Sequence, residues 1–185
     1  MSKKKSEYKN IEIHTKEENF SLISNAKNTY DLYVGEFDNA EIGHNMILNK
    51  LSQLEKKDTL NIHISSAGGV VSLLVSYINI LQKTTATVNA YLNFGYSAGA
   101  LLFGACQNRY VYTYSSLMYH TFSQGISGKS QEMQSNLSCG MKVVHSMMNK
   151  FYLGIDKKEF NQLKDGKDFW FDADEMVDRK IAIMI

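Results

Sequence analysis

The chain has 185 residues, 44% hydrophobic and 11% aromatic, enough for one domain with a sizeable core and incompatible with a disordered chain. Its 20 basic and 19 acidic residues are interspersed and leave a formal charge of +1, so it carries no field suited to nucleic acid or an anionic membrane. No apolar run approaches the ~20 residues that span a bilayer, and Lys3, Lys4 and Lys5 precede no apolar stretch, so the expectation is a soluble, cytoplasmic protein.

Residues 1–28 are polar and mixed, with IEIH and FSLI as short apolar islands, and read as a flexible arm ahead of a domain over 29–185. TYDLYVG at 29–35 has strand character. The segment 40–57 places Ile42, Met46, Ile47, Leu51 and Leu54 on one helical face. TLNIHIS at 59–65 reads as a strand broken by SAGGVV, after which Val70, Val71, Leu73, Leu74, Tyr77, Ile78 and Leu81 predict a buried helix. The pattern repeats with a strand at 86–93, a tight turn at FGYS and a helix of small and apolar residues at 97–106. RYVYTY and LMYHTF read as two strands. A Gly-bearing loop at 123–128 leads into a long helix from Ser130 to Phe151, with Met133, Leu137, Met141, Val144, Met148 and Phe151 along it. KKEFNQLK predicts a short helix, KDFWF an extended piece and DADEMVDRK a last helix before the apolar end IAIMI. Strands followed by Gly turns and helices argue for an α/β domain.

Cys106 lies in an apolar run and Cys139 in a predicted helix, neither with a Cys or His partner at metal-ligand spacing. A reducing compartment fits, and no metal or other cofactor is implied. The chemistry-bearing candidate is Ser97, which stands between Gly95 and Gly99 in a G-x-S-x-G stretch. A nucleophilic serine needs a base, an acid to orient the base, and N–H donors for the oxyanion.

The order of those partners separates folds. In α/β-hydrolases the acid falls between the serine and the histidine. No Asp or Glu lies between Ser97 and His120, and Glu132 and His145 sit on one predicted helix about 20 Å apart at 1.5 Å per residue. The order left is Ser, His, acid. His120 lies in LMYHTF, where alternation sets Met118, His120 and Phe122 on one face. A lone histidine on an apolar strand is often a satisfied core residue, yet His14, His44, His63 and His145 are weaker candidates because no matching motif surrounds them.

Among later acids, Asp172 and Glu175 have capping-box spacing, Asp165 before Gly166 reads as a turn, and Asp156, Glu159 and Asp178 look like solvated helix positions. Asp168 leads into FWF, where an acid beside bulky apolar residues is partly buried and needs a partner; a strand-edge surface position is the alternative. The Ala98 N–H opens a helix, at the positive end of its dipole. A second donor falls in AGG at 67–69, unless Gly68 and Gly69 simply make a tight turn.

With these residues the chain resembles the Clp protease proteolytic subunit (ClpP) family, serine peptidases of the crotonase-like superfamily. LNIHISSAGGVV is similar to the family's strand followed by N-S-P-G-G, GYSAGALLFGA to its nucleophile segment, SSLMYHTF to N-S-x-x-M-x-H-Q-P, and DFWFDADEMV to its D-x-F ending. The likeness runs from about Tyr30 to the C-terminus. It implies a fold of repeated β-β-α units with a protruding handle helix, the one starting near 130. It implies Ser97 as nucleophile, His120 as general base, Asp168 as the orienting acid, and the N–H groups of Gly69 and Ala98 as oxyanion hole.

A polypeptide substrate would lie as an added strand beside Gly68 and Gly69 and beside Gly125, Ile126, Ser127 and Gly128. The implied partners are further copies of this chain, as stacked heptameric rings, and an AAA+ unfoldase. The chain departs from the family at Ser65 for asparagine, Ala67 for proline, Thr121 and Phe122 for Gln-Pro, and Lys180 for glycine; residues 1–28 do not resemble its apolar N-terminal loops. Two other functions share the fold: a catalytically silent ring subunit, and a crotonase-type acyl-CoA enzyme, which has no use for Ser97.

Overall fold

The computed structural model describes residues 10–15, 19–38, 42–121 and 128–185. One mixed sheet organises them. Its strands are β1 (Ile11–His14), β2 (Phe20–Ala26), β3 (Thr29–Val34), β4 (Thr59–Ser66), β5 (Thr87–Tyr96), β6 (Asn108–Tyr119) and β7 (Phe169–Asp172), paired in that order, with β8 (Ile183–Met184) also on β6. The pairs β3–β4, β4–β5 and β5–β6 are parallel, while β1–β2, β2–β3 and β6–β7 are antiparallel. The crossovers are α1 (Ile42–Leu51), α2 (Val71–Leu81) and α3 (Ala98–Ala105), followed by α4 (Ser130–Phe151), α5 (Lys157–Lys164) and α6 (Ala173–Asp178). Parallel strands need such helical crossovers, as the alternation in the sequence requires. Short extended pieces at Phe37 and Gly69 pair between strand and helix, which gives the first two units their β-β-α character.

On β4, Leu60, Ile62 and Ile64 point into the core and Asn61, His63 and Ser65 point out, the period-2 pattern of a half-buried strand. The outward face carries two ladders that fix the parallel register. Asn61 donates to Asp31 (3.1 Å), Asn89 to Asn61 (3.0 Å) and Asn108 to Asn89 (2.9 Å). One row further on, Tyr33, His63, Tyr91 and Tyr110 stack ring on ring. A slip of one residue would break both rows and turn the apolar set outward.

The sequence reading is corrected at several points. Residues 11–14 and 20–26 are strands rather than a flexible arm, and Phe20 and Leu22 are wholly buried. The isolated islands lacked the length to signal this; they pair with each other, and β2 then pairs with β3. Helix α1 ends at Leu51, and Met46 is 53% exposed rather than on the buried face. Phe94, Gly95 and Tyr96 continue β5 after a register shift instead of forming a turn. The two strands expected around 109–122 are one strand, β6, kinked where the Ser115 hydroxyl accepts from the Tyr112 N–H (2.8 Å). In α4, Val144, Met147, Met148 and Phe151 are buried while Leu137 and Met141 are exposed, so only its C-terminal half packs on the rest of the chain. Asp156 and Glu159 form a capping box, as Asp172 and Glu175 do, and Glu159 also takes a bidentate pair from Arg179.

Candidate functional site

β5 stays paired to β6 as far as Tyr96 opposite Met118, and the next residue turns the chain into α3. That residue, Ser97, has φ 55° and ψ −117°, a backbone state that a residue with a Cβ seldom takes. Such a state costs about 1–3 kcal/mol and persists only where the surroundings dictate it. Here its N–H donates to Met118 O (3.3 Å) and its carbonyl accepts the first bond of α3 from Leu101 (3.1 Å). A sharp strand-to-helix turn of this kind presents a side-chain oxygen ahead of the helix.

The turn after β4 packs against Ser97. A Cβ on Gly68 would lie 2.7 Å from Ser97 Cβ and 3.1 Å from Ala98 N, so only glycine allows this approach. Gly69, at φ 128°, bridges Phe37: Phe37 donates to Gly68 O (2.7 Å) and Val70 donates to Phe37 O (2.6 Å). That pairing uses the groups on either side of Gly69 and leaves the Gly69 N–H facing away from Phe37, because successive N–H groups of an extended chain alternate in direction. Neither the Gly69 nor the Ala98 N–H donates a hydrogen bond among the described residues. Ala67 stands where the resemblance expects proline, and it uses the N–H a proline lacks to donate to Glu36 Oε1 (2.9 Å).

The other two residues follow an antiparallel pairing. β6 and β7 pair Met118 with Trp170 and Tyr119 with Phe169, and His120 and Asp168 are the residues next to that last pair, one at the end of β6 and one ahead of β7. The Tyr152 hydroxyl donates to the His120 carbonyl (3.2 Å), and burial, reinforced by the nearby Asp168 carboxylate, pushes its ionisation well above the ordinary tyrosine range. Tyr152 is thus a neutral donor to the His120 backbone. The Ser97 and His120 residues are half-buried, whereas Asp168 is exposed, which matches the surface alternative rather than partial burial. Its strand starts only at Phe169, which takes the inward position and leaves Asp168 at the rim. Among the described residues no hydrogen bond joins the Ser97, His120 and Asp168 side chains.

Gly125, Ile126 and Ser127 lie outside the described residues, as does Phe122. Of the other histidines, His14 meets Glu12 and Ser21, His63 meets Asp31, and His44 is fully buried between Asp38 and Tyr77. Burial pushes the Cys106 thiol up to about 12, so it remains an inert core group. Among the described residues no three His, Cys, Asp or Glu side chains gather to hold a metal, and no helix is long and apolar enough to cross a membrane. Sequence reasoning missed Glu36, Phe37 and Tyr152; their partners are 31 or more residues away, and no local spacing signals them.

A profile of the Clp protease family matches residues 14–182. A search of curated proteins finds no match. The chain belongs to the Clp protease family and has its ClpP-like α/β peptidase fold. The match begins ahead of Tyr30, in keeping with the place of β2 in the sheet.

Proposed function

We propose that this protein is a serine endopeptidase that cleaves unfolded polypeptides inside a ring of its own copies. The observation that carries the reading is Ser97, held at φ 55° at the start of α3 beside two backbone N–H groups with no partner among the described residues. His120 takes the Ser97 proton as the hydroxyl attacks the peptide carbonyl, and Asp168 orients the imidazole and stabilises its charged form. The Gly69 and Ala98 N–H groups receive the oxyanion. His120 then protonates the leaving amine, and a water activated by the same imidazole hydrolyses the acyl-enzyme.

Substrate lies as an added strand along the Gly68–Gly69 segment. Assembly through α4 is supported by Leu137, Met141 and Val143, apolar residues exposed on its surface. A ring of identical copies follows the family pattern; stacking as heptamers and an AAA+ unfoldase partner are what the resemblance alone implies.

A second reading, a silent ring subunit, draws on the absence of hydrogen bonds among the three side chains. Catalytic hydrogen bonds are often loose without substrate and tighten in the complex, which favours the active reading. The deciding experiment is labelling of the assembled protein with a fluorophosphonate, followed by mass spectrometry. An adduct on Ser97 is expected; an assembled oligomer that takes up no label on Ser97 would make the silent reading the correct one.

A further inference from the structure

Next to the Phe37–Gly69 bridge lies a hydrogen-bonded polar cluster that the mechanism above does not use. His44 is wholly buried, with Nδ1 2.9 Å from the Tyr77 hydroxyl and Nε2 3.1 Å from Asp38 Oδ1. The other Asp38 oxygen accepts from Asn19 Nδ2 (2.6 Å). A carboxylate only accepts, so the His44 Nε2–H donates to it; with the imidazole neutral, Nδ1 accepts from the Tyr77 hydroxyl. Burial holds the Tyr77 phenol protonated, as this assignment requires. Burial alone would raise the Asp38 carboxyl; the hydrogen bonds from Asn19 and His44 outweigh it and bring the group below its ordinary value.

This cluster is joined to the site through one residue. Asp38 directly follows Phe37, whose N–H and carbonyl hold Gly68 and Val70 on either side of Gly69. The Phe37 ring meets Phe20 edge-on at 5.2 Å, and Phe20 meets both His44 (4.7 Å) and Tyr77 (5.0 Å). Glu36, on the other side of Phe37, fixes Ala67. The segment 36–38 is therefore clamped at one end to the turn that presents Gly69 and at the other to a buried imidazole.

We propose that Asp38, His44 and Tyr77 form a positioning relay that sets the direction of the Gly69 N–H by holding Phe37. The part concerning catalysis rests on the peptidase reading; the mechanical part does not. An oxyanion donor acts in the transition state and little in substrate binding, so disturbing the relay lowers kcat and leaves KM in place.

The test uses Tyr77→Phe, which removes one oxygen and keeps the ring packing, and His44→Gln. Hydrogen exchange is followed at the Phe37 and Val70 amides, with the β4–β5 ladder as internal reference, beside peptide hydrolysis by the assembled protein. Exchange at those two amides about tenfold faster with an unchanged ladder, and kcat about tenfold lower with KM within twofold, is the expected result. If His44→Gln does not fold, Tyr77→Phe carries the test alone. Unchanged exchange at Phe37 and Val70 overturns the relay. Faster exchange with unchanged kcat overturns its link to the oxyanion. A wild-type protein that neither hydrolyses peptides nor takes a fluorophosphonate on Ser97 overturns the peptidase reading, and the exchange data still decide the mechanical part.

Discussion

Tyr77, His44 and Asp38 are joined by hydrogen bonds of 2.9 and 3.1 Å around a fully buried imidazole, whereas among the described residues no hydrogen bond joins the side chains of Ser97, His120 and Asp168. Both sets pair a hydroxyl, an imidazole and a carboxylate. In the inner set the imidazole is spent on both sides and its carboxylate is also held by Asn19, so it has nothing left to offer a substrate. The outer set keeps spare capacity: a serine in a costly backbone state, two N–H groups without acceptors among the described residues, and an exposed acid. A complete hydrogen-bond inventory marks structure, and an incomplete one beside a strained residue marks a place for chemistry.

The strongest way to break this contrast is to disable the outer set. Ser97→Ala and His120→Ala are each expected to lower kcat for peptide hydrolysis by about 10⁴-fold or more, and Asp168→Asn by roughly 10²- to 10⁴-fold, with unchanged oligomer size in native mass spectrometry. Equal activity in Ser97→Ala and wild type would remove the distinction between the two sets. A smaller effect is expected one step away. A Cβ on Gly69 collides with the Phe37 carbonyl at a φ that only glycine takes easily, so Gly69→Ala should lower kcat by about 10²-fold and destabilise the fold by about 2 kcal/mol in urea unfolding.

The mildest test concerns strain without chemistry. Lys180 has φ 57° at the position where the family resemblance places glycine, and it stands between α6 and β8, next to the buried Ile181. Lys180→Gly should stabilise the fold by about 1 kcal/mol in the same assay and leave kcat unchanged. A loss of activity there would mean that left-handed backbone serves the site at more than one place.

The sequence made the alternating strands and helices of 29–121 legible because their periods are clean, as in Leu60, Ile62 and Ile64 or in Leu73, Leu74, Tyr77 and Ile78. Ser97 and the glycines of 68–69 were legible as a turn chemistry. Phe20 and Leu22 were not, since two inward residues in a polar stretch look like an arm until a third strand pairs with them. Nor was the relay. Tyr77 and His44 are 33 residues apart on different helices, and each reads locally as an ordinary core or helix residue. The exposure of Asp168 depends on where β7 begins, and element ends are what periodicity fixes least.

The place of Asp168 just ahead of β7, one residue beyond the last pair between β6 and β7, has a consequence for how the protein is made. Synthesis delivers Ser97 and His120 long before β7 exists, and the acid arrives only with the C-terminal strand that pairs to β6. On the proposed mechanism a nascent chain holds a nucleophile and a base with nothing to orient them. On that reading the orienting acid is the last of the three to reach its place, and the site is completed only when β7 pairs with β6.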